Sequence, residues 1–155
     1  MNLPQHLARH FREAYFGKNW TWVHLKEHLD TVTWQQATLK FQSLNTIAAL
    51  ANHINYYVLS QIKVLEGKPL DSKDEYSWDH PPIHSREDWD NFCNQIYKDA
   101  EYLGSLIEAL PEERLWEIFV DQKYGTYIRN IQGMTEHVFY HLGQIVIIKK
   151  LLITI

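Results

Sequence analysis

The chain is organised around one stretch near its C-terminal end, Glu136-His137-Val138-Phe139-Tyr140-His141-Leu142-Gly143-Gln144-Ile145. His137 and His141 are four residues apart, and residues at that spacing lie one above the other on a helix. Apart from Gln144, the other positions on their face are apolar: Met134, Ile145, Ile148 and Leu152. The stripe predicts a core-facing helix from about Asn130 to Leu152. Its two imidazoles either find local partners or together hold a metal ion.

Composition limits the class of protein. The 155 residues predict one domain, and a hydrophobic content of 45% with 22% charged residues is ordinary for a soluble globular chain. A net charge of -4, without a basic stripe, argues against nucleic-acid binding. We see no signal peptide, and the longest apolar run, 145–155, is too short to span a bilayer. Cys93 stands alone, so we expect a buried structural thiol in a cytoplasmic protein.

Apolar residues recur with helical period in three further segments. They predict helices over 3–16, over 45–66 with Asn45 or Thr46 as cap, and over 85–110 with Ser85 as cap. Residues 70–84 are rich in Asp, Ser and Pro, which is typical of a loop, and its length suits a long crossover. Four long helices with one long connection predict an all-α four-helix bundle.

The segment 18–43 is too apolar for a free loop, and we expect a packed connector with a short helical turn. Thr33 and Gln36 have the spacing of a capping box at that turn. Large aromatic residues of this connector and of other segments either fill the core or line a pocket. They are Trp20, Trp22, Tyr57 and Trp78.

His53 lies on the flank of the apolar stripe of the second long helix. If that helix neighbours the last one, His53 converges with His137 and His141. Three neutral imidazoles leave a first-row divalent ion with open positions, as in catalytic sites. Imidazole suits Zn, Ni, Cu or Fe. Two other histidine pairs have the same spacing among polar neighbours, and we expect them at the surface: His6 with His10 and His24 with His28.

The second-helix stretch Thr46-Ile47-Ala48-Ala49-Leu50-Ala51-Asn52-His53, taken together with 136–145, resembles the DinB/YfiT superfamily of metalloenzymes. The resemblance covers nearly the whole chain in element order and length, and the H-x-x-x-H-x-G-Q-I run is its most specific part. It implies a four-helix bundle, often dimeric, whose metal ligands are His53, His137 and His141, with Zn or Ni as the expected ion. Gly143 and Gln144 match the family's G-Q pattern. Gln144 would either contact a metal ligand without binding the metal itself, or simply allow helices to approach and form hydrogen bonds with one another.

The resemblance also implies a class of reaction. Characterised relatives include thiol-dependent transferases and isomerases that use low-molecular-weight thiols such as bacillithiol or mycothiol. We therefore expect a metal-dependent S-transferase or a hydrolase acting on a small molecule, although no residue is assigned as acid or base. Two alternatives are a stress-associated interaction module with a vestigial triad, and a metal sensor or storage protein. The apolar end 151–155 predicts a homodimer, because such a surface usually needs cover.

Overall fold

The helices begin where side chains can accept the first free backbone N–H groups. The computed structural model describes residues 1–153. Asn2 and Thr33 each form a capping box, while Thr46 and Ser85 each accept one backbone hydrogen bond. Six α-helices result: α1 Leu3–Phe16, α2 Leu25–Asp30, α3 Trp34–Thr38, α4 Ile47–Leu65, α5 Arg86–Glu108 and α6 Tyr127–Ile153. Short 3-10 turns occupy Asp74–Trp78, Glu112–Trp116 and Gln122–Tyr124.

The predicted all-α class is confirmed. Between residues 1 and 153 the helices are accompanied by one isolated β-bridge, Ile118 to Thr126, and by no strand. None of these helices is both long enough and apolar enough to cross a membrane.

The four long helices pack around a common apolar core. Helix α1 contacts α5 and α6, and helix α4 contacts the same two helices. The largest side chains that are almost fully buried include Trp89, Tyr15 and Phe11. Burying such side chains is the main favourable term in folding.

Helix directions explain the long connection. Helix α4 is antiparallel to α6, because Gln61 bonds to Asn130 early in α6 whereas His53 meets His141 later in it. Helices α4 and α5 run the same way, since Asn55 contacts Asp99 and Glu66 contacts Tyr102. The chain between them, residues 66–85, therefore has to return along the helices.

The expectation that Trp20 and Trp22 are packed is wrong. They are 94% and 85% exposed, although Leu25 and Leu29 of the same connector are fully buried. The physical reason is Asn19, which is only 5% exposed. Its amide donates to two backbone carbonyl groups at 2.7 and 2.8 Å and its oxygen accepts from a backbone N–H at 2.9 Å. These bonds close the loop without help from the indole rings.

The connector and some helix ends differ from the prediction, and α5, for example, ends at Glu108, two residues before the predicted end. The connector holds two short helices, α2 and α3, where one helical turn is expected. Helix α6 begins at Tyr127, three residues before the predicted start. Thr126 explains this shift: its hydroxyl accepts from the N–H of Arg129 at 3.4 Å and its carbonyl accepts from Asn130 at 3.2 Å.

Candidate metal centre

Three imidazoles from two helices meet inside the protein. His53 comes from α4, and His137 and His141 come from successive turns of α6. One ligand nitrogen of each ring lies within 4.8 Å of the other two, so the predicted convergence is confirmed. Nitrogens bound to one ion at about 2.0–2.1 Å are at most about 4 Å apart. The observed spacing is therefore close to the one that a shared ion requires.

The His53 ring is held by the 3-10 turn Asp74–Trp78. Its Nδ1 is 2.7 Å from the hydroxyl of Ser77, which is fully buried. That hydroxyl donates its own proton to the Asp74 carbonyl at 2.6 Å. Its oxygen must therefore accept the bond from Nδ1–H, so the lone pair of His53 Nε2 is free for a ligand bond.

The His141 ring is fixed in the same tautomer by Gln144. Its Nδ1 is 2.7 Å from Gln144 Oε1, an oxygen that can only accept. The proton therefore sits on Nδ1, and Nε2 is free. Gly143, beside Gln144, is exposed, and an added Cβ there would meet no atom within 4 Å. The structure thus gives Gln144 a contact with a candidate ligand, and Gly143 mediates no close approach of helices among the described residues.

His137 has a nitrogen without a partner. Its Nδ1 is buried and has no hydrogen bond among the described residues. Leaving such an atom unpaired costs desolvation energy, and most buried polar atoms are paired. One nitrogen of this ring also lies within 4.8 Å of a nitrogen of His53 and of His141. The donor set therefore fits a metal ion.

Burial keeps the three rings neutral. Desolvation, reinforced by the neighbouring imidazoles, lowers the pKa of His53 and of His137 to about 4. Desolvation also lowers the pKa of His141, against the opposing effect of the Gln144 hydrogen bond. Metal binding requires neutral imidazole, so protons do not compete for these nitrogens near neutral pH.

Aromatic rings enclose the histidines. Trp78 stacks on His53, with ring centroids 3.8 Å apart and planes inclined by 14°. The Tyr57 ring meets both His53 and His137 edge-on, at 5.2 and 5.1 Å. Two of the four aromatic candidates, Tyr57 and Trp78, therefore contact the triad, whereas the two exposed tryptophans do not.

Several residues that hold the 3-10 turn beside His53 were not predicted from the sequence. The Asp74 carboxylate accepts from the Tyr57 hydroxyl at 2.7 Å. The Asn52 amide donates to the carbonyls of Ser77 and Asp79, which attaches the 3-10 turn to α4. No spacing rule links these residues to His53, because Ser77 lies 24 positions away. The only available signal was a polar loop long enough to return along the helix.

A cavity of about 670 Å³ adjoins the triad. His53, His137 and Tyr57 line one part of it, and Gln61, Asn130 and Met134 extend it between the second half of α4 and the first turns of α6. Small-molecule sites in proteins have volumes of about 300–1,000 Å³. The space therefore suits a small molecule beside the imidazoles.

The remaining candidates lie elsewhere. His6 and His10 are exposed, as predicted, whereas His24 and His28 are half-buried; His24 caps α2 by accepting from the backbone N–H of Glu27. Cys93 is buried, as predicted, and desolvation raises the pKa of its thiol to about 12, so it is no ready nucleophile. Across residues 1–153, the His53 triad is the one group of three or more His, Cys, Asp or Glu side chains close enough to share an ion.

Comparison with protein-family models, with curated proteins and with solved structures gives no match for this chain.

Proposed function

We propose that this chain is a divalent-metal-dependent enzyme of the DinB/YfiT type, with His53, His137 and His141 as ligands of a zinc or nickel ion. One observation carries the proposal: three neutral imidazoles converge, with one nitrogen of each within 4.8 Å of the others, and hydrogen bonds hold two of the rings with Nε2 free.

Helix packing supports the family assignment. The contacts of α1 and α4 with both α5 and α6 fit a four-helix bundle, and the parallel α4 and α5 fit its long crossover. The H-x-x-x-H-x-G-Q-I run lies on the helix that carries two of the ligands. In this proposal Gln144 belongs to the family pattern because it orients His141.

The proposed reaction takes place where the cavity reaches the triad. When bound, a divalent ion on three imidazoles supplies Lewis acidity, which lowers the pKa of a thiol or a water molecule beside it. Ser77 and Gln144 hold two ligands in orientation, and Trp78 covers one face of His53. The resemblance favours transfer of a small thiol to an electrophile, and hydrolysis is the alternative reaction for the same site.

The reaction is tested with untagged protein that is loaded with zinc or nickel. A small thiol and an electrophile such as monobromobimane are supplied, and the adduct is followed by fluorescence; an activated ester tests for hydrolysis. We expect turnover that is lost in His137→Ala and kept in His6→Ala, which removes an exposed histidine. Stoichiometric metal binding without turnover of either substrate would instead favour the sensor or storage function. If His137→Ala kept both the activity and the metal, the proposed site would be contradicted.

We also propose a homodimer. Of the apolar end 151–155 that predicted it, Leu152 is already buried within the chain, while Thr154 and Ile155 lie outside the described residues. Support comes instead from α6, where Tyr140 and Ile147 are 66% and 59% exposed on either side of the exposed Gly143. Sedimentation equilibrium should return twice the chain mass, and Ile147→Asp should return the single mass. A wild-type monomer at micromolar concentration would contradict the proposal.

A further inference from the structure

The cavity beside the triad has a basic lining. Lys123 and Arg129 line it, and no Asp or Glu side chain does. The chain as a whole has 19 acidic and 15 basic residues, so this lining runs against the average composition. Cations gathered at the wall of a cavity raise the local concentration of anions and favour their binding.

Arg129 has the space and the freedom to bind a ligand. A Cβ at Gly133, one turn further along α6, would lie 2.8 Å from Arg129 Nη1, so the missing side chain leaves room for the guanidinium along the helix. Arg129 also pairs with Glu136, but at 3.5 Å and with both side chains more than 60% exposed. Such an exposed pair is weak and is easily replaced by a ligand.

Hydrogen bonds hold the short segment that carries Lys123. Its backbone N–H donates to Asp121 Oδ1 at 3.0 Å, and the Asn130 amide donates to the Tyr124 carbonyl at 2.9 Å. These bonds attach the Lys123 segment to the first turn of α6. Within residues 1–153, no carboxylate lies within 4.0 Å of the Lys123 ammonium, which instead sits 4.9 Å from the centre of the Tyr124 ring. The charge is therefore held near the cavity without a fixed counter-ion.

We propose that the cavity binds a small molecule through an anionic oxygen group, a carboxylate or a phosphate, held by Arg129 and Lys123. The guanidinium can form two parallel hydrogen bonds to such a group, and the ammonium adds a second positive charge. The rest of the molecule then extends along the same cavity to His53 and His137. This inference rests on the proposed function, because it names the substrate class of the proposed metal site.

The test uses metal-free, untagged protein, so that the probe cannot bind to an ion. Succinate and inorganic phosphate are titrated calorimetrically at low ionic strength. We expect saturable binding of at least one probe and a loss of about tenfold or more in Arg129→Gln and in Lys123→Gln, since each removes a charge-assisted bond. Tighter binding of succinate assigns a carboxylate, and tighter binding of phosphate assigns a phosphate.

Two further variants separate shape from charge. Gly133→Ala leaves every charge in place but fills the space beside the guanidinium, and it should weaken probe binding as well. Lys98→Gln removes one charge from an exposed position on α5 and should change nothing. Absence of saturable binding of both probes, or equal losses in Lys98→Gln and Arg129→Gln, would overturn the inference.

Failure of the anion site can be distinguished from failure of the metal site. His137→Ala should lose metal but keep binding the anionic probe, whereas Arg129→Gln should keep metal but lose the probe. If zinc binds normally and neither probe binds, the anion site is refuted while the metal site stands. If a probe binds but the wild-type protein takes up no metal, the metal site is refuted while the anion site stands.

Discussion

The hydrogen bond between His141 and Gln144 allows the candidate metal centre to be tested without removing a ligand. The bond is 2.7 Å long, and His141 is only 6% exposed. In Gln144→Leu, Nδ1–H loses its acceptor, so nothing holds the ring in the tautomer and orientation that present Nε2. Loss of such a supporting partner typically weakens metal binding about 10- to 100-fold, which corresponds to about 1.4–2.7 kcal/mol.

The assay is a competition titration of zinc between metal-free, untagged protein and a chromophoric chelator. Gln132→Leu is the matched control, because Gln132 is exposed on the same helix. Gln144→Glu keeps an acceptor near Nδ1 and should retain the affinity. An unchanged zinc affinity in Gln144→Leu, with the fold intact by circular dichroism, would show that this contact does not prepare His141 for a metal.

Three further predictions concern stability measured by urea unfolding. The pKa values of His53 and His137 are lowered from 6.5 to about 4, so between these values the unfolded chain binds protons that the folded chain does not. The free energy of unfolding of the metal-free protein should therefore fall as the pH falls through this window, and a pH-independent profile would contradict the assignment. Tyr15→Phe removes a fully buried hydroxyl that has no hydrogen-bond partner among residues 1–153, so stability should be unchanged or rise by about 1 kcal/mol; a clear loss would show that the hydroxyl is paired. Asn19→Ala should cost about 1–3 kcal/mol because the connector loses its buried hydrogen bonds, whereas Asn94→Ala, at an exposed position, should cost almost nothing. Equal effects of the two Asn substitutions would contradict the role of Asn19.

Local patterns were enough to predict the long helices. Apolar residues at helical spacing mark the buried faces, and Ser85 or Thr46 accepts the first backbone hydrogen bond where a cap is expected. The boundary of α6 was missed because Thr126 follows a glycine turn and its capping role depends on the backbone geometry there. The exposed Trp20 and Trp22 were missed because hydrophobicity alone predicts burial, while the loop is closed by the hydrogen bonds of Asn19.

The candidate site was predictable only in part. The spacing of His137 and His141 places them on one helix face, and the bundle hypothesis brings His53 to them. The residues that orient and enclose them depend on the path of a loop, and no local pattern indicates that Ser77 reaches His53. The basic lining is likewise invisible in the overall charge, because Lys123 and Arg129 come to line one cavity with His53 only through the packing of α4 against α6.

The central claim is that the His53 triad binds one divalent ion. It is tested most directly by measuring the metal content of protein that was purified without a histidine tag, incubated with zinc or nickel and then freed of excess ion. We expect about one ion per chain in the wild-type protein and in His6→Ala, and none in His53→Ala or His137→Ala when each variant remains folded. A wild-type protein without bound metal, or folded triad variants that keep it, would show that the triad is not a metal site.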